Sequence, residues 1–232
     1  MSYHCGFCGV SGKVETCSCS NKNIYLGLAR SDYNECNDME ERIQHQKVTG
    51  SNGYQDARRQ QHQQDHRLNT HWQRPPTTWI KYNYDGSFKD TTTNGKIGWI
   101  IRNDNGDFCG AGQIHGVYVK NAFESELQAL LVAMKHCWSQ GYQKIIFEGD
   151  SQQVVQAIVT QTLHFNAYNW IRDIRWWMRQ FEEVKLNWIP RIANKAADIL
   201  AKSSIPNGSN SHCYRFVPNN ILSVFIDDSV RS

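Results

Sequence analysis

Lys144-Ile-Ile-Phe-Glu-Gly-Asp-Ser-Gln-Gln-Val-Val155 is a strand that runs directly into a helix. Lys144 to Phe147 is a short apolar run bounded by a turn, the pattern of a buried strand. Ser151 stands where a helix N-cap belongs, and Val154, Val155 and Ile158 follow at helical spacing. A buried strand feeding a helix is the unit from which layered α/β architectures are built. It also sets Asp150 at the carboxyl end of a strand, where open α/β sheets bind their ligands.

Working toward the N-terminus, Ala122 to Gln140 carries Leu127, Leu130, Leu131, Met134 and Trp138 at helical spacing, and Gly141 ends it. Before it lie three β-rich runs. They are Trp79-Ile-Lys-Tyr-Asn-Tyr-Asp-Gly-Ser-Phe88, Ile97 to Arg102, and Phe108 to Val119. Asn103-Asp-Asn-Gly106 between the last two is a hairpin signal. Toward the C-terminus, Asn169 to Phe181 reads as a helix with Trp170, Ile174, Trp177, Met178 and Phe181 inward. Arg172, Arg175 and Arg179 fall on its other face, as a solvated surface or a grip for phosphates. Val184 to Ile189 is a fifth strand, ended by Pro190, and Ala193 to Ser203 is a final helix with Ala196, Ala197, Leu200 and Ala201 on one side. The order βββαβααβα predicts an α/β fold. Its mixed five-stranded sheet is flanked by helices, with three antiparallel strands first and later strands added by helical crossovers.

The chain has 232 residues and a net charge of only +3, which neither requires nor excludes a nucleic-acid partner. No apolar stretch approaches the roughly 20 residues of a membrane span. The first 20 residues contain no apolar signal core. The expectation is an intracellular protein, of nucleus or cytoplasm, with reduced cysteines. Gln44 to Gln73 is rich in Gln, His, Arg and Asn and nearly free of aliphatic residues, so it cannot bury enough surface to offset chain ordering. The expected organisation is a Cys-containing, Gln/His-rich disordered extension over 1–71, a folded domain over 72–204 and a C-terminal tail over 205–232. Cys5-x₂-Cys8 and Cys17-x-Cys19 could offer four thiolates to Zn²⁺, with His4 as a spare ligand. The alternative is a thiol-bearing extension without metal.

Four acidic residues occupy positions of chemical interest: Asp85 near the end of the first strand, Glu126 in the first turns of a helix, Asp150, and Asp198 in the last helix. Taken singly, Asp85 reads as a turn former, Asp150 as a helix-start residue, and Glu126 and Asp198 as solvated helix faces. Taken together, they would repel one another unless cations sat between them. Carboxylate oxygens suit Mg²⁺ and Mn²⁺.

Trp79 to Phe88, Glu124-Ser-Glu-Leu-Gln-Ala-Leu130, Phe147-Glu-Gly-Asp-Ser-Gln-Gln-Val-Val155 and Pro190-Arg-Ile-Ala-Asn-Lys-Ala-Ala-Asp-Ile-Leu-Ala-Lys202 together resemble the type 1 ribonuclease H domain, most closely its plant retroelement-derived branch. The resemblance covers Trp72 to Ser203, and the tail around Pro218 and Ile221 to Asp228 resembles the segment that often follows that domain. By position it implies Asp85, Glu126, Asp150 and Asp198 as catalytic, metal-binding carboxylates holding two Mg²⁺ ions, for which Mn²⁺ can substitute. It implies hydrolysis of the RNA strand of RNA–DNA hybrids. Ser87, Arg191 and Asn194 lie close enough to the motifs to contact that substrate. The chain departs from the pattern in three places. Trp188 stands where many members carry a loop histidine, Ala122 and Phe123 replace an asparagine pair, and no basic protrusion fits between Asp150 and Asp198. These departures keep open a second reading, a nucleic-acid-binding module of weak or no activity.

Overall fold

The computed structural model describes residues 71–160 and 164–232. Six strands and five helices follow in order: β1 Ile80–Ser87, β2 Lys96–Arg102, β3 Phe108–His115, α1 Ala122–Ser139, β4 Lys144–Gly149, α2 Gln152–Val159, α3 Tyr168–Met178, β5 Glu183–Trp188, α4 Lys195–Lys202, β6 Ser211–Tyr214 and α5 Leu222–Arg231. The sheet order is β5-β4-β1-β2-β3-β6. β1, β2, β3 and β6 pair antiparallel, while β4 joins β1 and β5 joins β4 in parallel. The mixed sheet flanked by helices is therefore as expected, with one correction. It has six strands, not five, because residues 211–214 add an edge strand beside β3.

Period-two alternation splits the side chains of β1 between two faces. Tyr82 and Tyr84 point into the larger core, with Trp99, Leu127, Leu130, Met134, Phe147, Ile171 and Ile174. α1 and α3 cover that face and pack on one another. The opposite face is covered by α4, with a smaller core of Ile100, Ala111, Ala196, Leu200 and Ile221. Lys81, Asn83 and Asp85 share the second alternation. This second set is polar and buried, and Lys81 and Asn83 join a shared network. Lys81 Nζ is 2.9 Å from Glu148, and Asn83 donates to the same carboxylate at 3.1 Å. Arg102 donates to Asn83 at 3.1 Å and to Asp228 of α5 at 2.7 Å. The Trp72 ring lies 3.8 Å from the Arg102 guanidinium carbon, a cation–π contact that closes the network.

Two glycines set how closely helices approach the sheet. A β-carbon at Gly86 would overlap the backbone of Ser125, so α1 rests directly on the end of β1. A β-carbon at Gly98 would overlap the backbone of Ala197 and Ala201, so α4 lies against β2. Gly98 is the strand partner of Asp85. The two contacts thus bring Glu126 and Asp198 to the same end of β1 as Asp85.

Several local expectations are refined. Ser151 precedes α2 and its carbonyl accepts from Val154 at 3.2 Å, but its side chain makes no capping bond. The last turn of α2 is held by Arg175, whose guanidinium donates to the carbonyls of Ala157 and Ile158 at 3.2 Å. Arg172 pairs with Asp173 at 3.0 Å. Among the described residues no helix is long and apolar enough to cross a membrane. The N-terminal cysteines, and with them the zinc expectation, lie outside the described residues.

Candidate metal centre

Three carboxylates meet at the ends of β1 and β4 and the start of α1. One oxygen each from Asp85, Glu126 and Asp150 lies within 4.8 Å of the other two. β1 and β4 are parallel neighbours, so Asp85 and Asp150 emerge at the same sheet end. Asp85 is 2 % exposed and Glu126 9 %. Glu126 Oε2 is buried without a hydrogen-bond partner.

Burial and mutual repulsion act together on this group. Burial, then Asp150 and Asp198, push the Asp85 carboxyl up to about 7, against the opposing pull of Lys202 and Arg191. Burial, then Asp85 and Asp150, raise Glu126 well above the carboxylate range, with the Gly86 backbone bond opposing. Asp150 is also raised by burial, with Arg191 acting against the shift. A divalent cation would reverse these shifts by supplying the missing positive charge. The orphaned Glu126 oxygen and an all-oxygen donor set fit Mg²⁺ or Mn²⁺.

Asp198 borders this trio and is engaged differently. Its Oδ1 accepts from Arg191 Nη2 at 2.6 Å and Nε at 3.1 Å, and from Lys202 Nζ. Lys195 Nζ lies 3.9 Å from its other oxygen. Burial alone would raise Asp198, but the bonds from Lys202 and Arg191 outweigh it and hold the carboxyl below its ordinary value. Arg191 also reaches Asp150 Oδ2 at 3.6 Å. The structure therefore gathers Asp85, Glu126 and Asp150 into one cluster and sets Asp198 beside it under a cap of cations.

Asn194 is 1 % exposed and its amide donates to the Tyr84 carbonyl at 2.9 Å, fastening the start of α4 to β1. The Ser87 hydroxyl is half-buried and exchanges hydrogen bonds with the Lys96 backbone at 3.1 Å. Arg191 is exposed. Trp188 donates its indole N–H to the Asp150 carbonyl at 3.0 Å and steadies the backbone of a cluster residue.

Residues 83–204, more than half of the chain, match the family described as reverse transcriptase-like. The chain belongs to this family. It is also 22 % identical over 162 residues to a protein of Arabidopsis thaliana named "Putative ribonuclease H protein". That alignment takes in 69 % of this chain and 26 % of the relative, so the chain spans about a quarter of the relative's length. Among solved structures, RNase H1 of Halobacterium salinarum NRC-1 is 22 % identical with a TM-score of 0.49, over 53 % of this chain and 94 % of that one. LC11-RNase H1, solved in complex with an RNA/DNA hybrid, is 18 % identical with a TM-score of 0.48, over 54 % and 96 %.

Proposed function

We propose that this chain is a ribonuclease H-type hydrolase that cuts the RNA strand of RNA–DNA hybrids and descends from the retroelement-derived branch found in plants. The observation that carries the reading is the convergence of Asp85, Glu126 and Asp150, with a buried Glu126 oxygen that lacks any partner. Membership of the reverse transcriptase-like family and the name of the Arabidopsis relative support it. In this reading Asp85, Glu126 and Asp150 hold Mg²⁺ or Mn²⁺, Asp198 completes the set, and residues 72–204 carry the nuclease chemistry of an intracellular protein, with the tail over 205–232 closing the sheet and its buried Arg102. The bound ions would acidify an attacking water and stabilise the leaving 3′ oxygen.

The chain's residues supply the remainder. Burial of Asp85 and Glu126 keeps bulk water from the inner side of the cluster, which strengthens every charge interaction there. Asn194 and Gly98 hold α4, and so Asp198, against β1 and β2. Ser87 holds the turn next to Asp85. Arg191, which is exposed, would offer its planar guanidinium to a phosphate of the duplex. Preference for a hybrid would come from 2′-hydroxyl contacts, since an A-like duplex is read by shape more than by sequence.

A second reading has its own observation. The Asp198 carboxylate is committed to Arg191 and Lys202, which is how a retained fold that binds nucleic acid without cutting it would hold a surplus acid. Cleavage of a labelled RNA–DNA hybrid in Mg²⁺ and in Mn²⁺, beside Asp85→Asn and Asp150→Asn, separates the two. The nuclease reading expects cleavage by the native chain and none by either variant. Binding without cleavage in both metals favours the module. Equal cleavage by all three proteins points to a contaminant and ends the proposal.

A further inference from the structure

Apart from the carboxylate cluster, α5 and the turn that leads into α4 border an open groove of about 280 Å³. Ile192 and Lys195 line it from the turn and the start of α4, and Ser223, Val224 and Asp227 line it from α5. Its volume is just below the roughly 300 Å³ at which sites for drug-sized ligands begin, so it suits a single ring system. Ile192 is 60 % exposed, an apolar side chain that the fold leaves uncovered. The acids of the groove are each matched by an arginine: Asp227 accepts from Arg231 at 2.8 Å, and Asp228 from Arg102 at 2.7 Å. Among the described residues Lys195 has one acid in reach, Asp198 at 3.9 Å, so its ammonium keeps donors for a further anion.

Resting on the nuclease reading, we propose that this groove binds one unpaired nucleobase of a strand that continues past the metal centre. The chain would then engage junctions between a hybrid and a single strand.

Two residues make the groove a neighbour of the metal centre. Lys195 lines the groove and also reaches Asp198. Ile192 follows directly on Arg191, which pairs with Asp150 and Asp198. A strand held at the centre therefore passes the groove as it leaves. A base still paired to its partner does not fit there, whereas a splayed base presents two apolar faces and a polar edge. Ile192 and Val224 supply the apolar contact. Asp227 supplies an acceptor for the edge, because Arg231 takes one of its oxygens and, among the described residues, nothing donates to the other. Adenine, cytosine and guanine carry an exocyclic amino donor, and uracil and thymine carry carbonyls in its place. The groove thus favours amino-bearing bases. Lys195 holds the phosphate that joins such a base to the duplex, and the arginine partners of Asp227 and Asp228 remove the repulsion that two bare acids would exert on it.

The test measures binding of the full chain to DNA hybrids of 2′-O-methyl RNA, which resist cleavage, by fluorescence anisotropy in Mg²⁺. One hybrid is blunt, and the others carry a short unpaired extension at the 5′ or the 3′ end of either strand. For the native chain, one of these extensions should tighten binding by about fivefold when its bases bear amino groups, the low end of what a base-edge contact contributes, and by less when they are uracil or thymine. Ser223 is exposed, so Ser223→Trp fills the groove without disturbing the core. It should bind the blunt hybrid as the native chain does and gain nothing from the extension. Ile192→Ser should lose part of the gain, and Asp227→Asn should lose the difference between bases. Matching circular dichroism melts would show that the variants are folded. Equal affinity for blunt and extended hybrids, or a gain that Ser223→Trp retains, overturns the base site and leaves the nuclease reading intact. Free guanosine or cytidine monophosphate that abolishes the gain when equimolar with the extended hybrid also overturns it, since the groove would then serve nucleotides independently of a strand. No binding of any hybrid by the native chain removes both readings.

Discussion

Replacing Asp85 by Asn should make the metal-free protein more stable at neutral pH. Asp85 is buried, and its carboxyl titrates near 7 in the folded chain against 3.8 for an ordinary aspartate. Burial is the first cause, followed by repulsion from Asp150 and Asp198. Between those two pH values the folded protein holds a proton that the unfolded chain has released. Stability therefore falls as pH rises through the window, and the full loss is reached above the folded value. A shift of about three pH units corresponds to roughly 4 kcal/mol, of which about two units, or roughly 3 kcal/mol, lie between pH 5 and 8. Asn cannot ionise, so this slope is absent from the variant. Urea unfolding of both proteins in EDTA at about pH 5 and about pH 8 reads the effect as a stability difference that grows in the variant's favour with pH. Mg²⁺ should then stabilise the native chain and leave Asp85→Asn nearly unchanged, because only a ligand bound to the folded state shifts the balance. A stability difference that stays constant from pH 5 to 8 would refute the account of the buried cluster.

Three further outcomes follow from contacts outside the cluster. His136 is held neutral by burial, its pKa lowered from 6.5 to about 4, so stability should fall by roughly 3 kcal/mol as pH drops through that interval, and His136→Gln should remove this limb from pH-dependent unfolding curves. Asp228→Ala strands the buried Arg102 guanidinium and should cost about 3–5 kcal/mol in denaturant unfolding, whereas Arg102→Met with Asp228→Leu should recover most of it. Gly98→Ala drives a methyl group into the α4 backbone and should cost about 1–3 kcal/mol while weakening Mn²⁺ binding through displacement of Asp198, measured by calorimetry.

The strands and helices around the site were legible because their apolar residues repeat at the periods of their elements. β2 and β4 are bounded apolar runs, and α1 carries its core at Leu127, Leu130, Leu131 and Met134. The adjacency of β1 and β4, and with it the meeting of Asp85 and Asp150, follows from one crossover. β6 was not legible. Ser211-His-Cys-Tyr214 is four residues long and has no alternating pattern, so only its pairing with β3 identifies it. The burial of Asp228 had no signal in the sequence, because it depends on Arg102, 126 residues earlier, which donates to it. The Lys81–Glu148 bond had a readable signal. Lys81, Asn83 and Asp85 alternate on one face of β1, and Glu148 shares its parity with Asp150. Lys202 on Asp198 was likewise readable as a helix pair four residues apart, but the reach of Arg191 depends on a turn whose shape no spacing encodes.

The edge strand and closing helix at the C-terminus bear on where the protein can be cut. A fragment ending near Ser203, as the limits of the family match would suggest, loses the lid over Arg102 and turns β3 from an interior strand into an open border. A newly bared border is a template for pairing with foreign chains. Such a truncated piece would tend to clump, and its inactivity in an assay would reflect that damage and not the chemistry of its carboxylates.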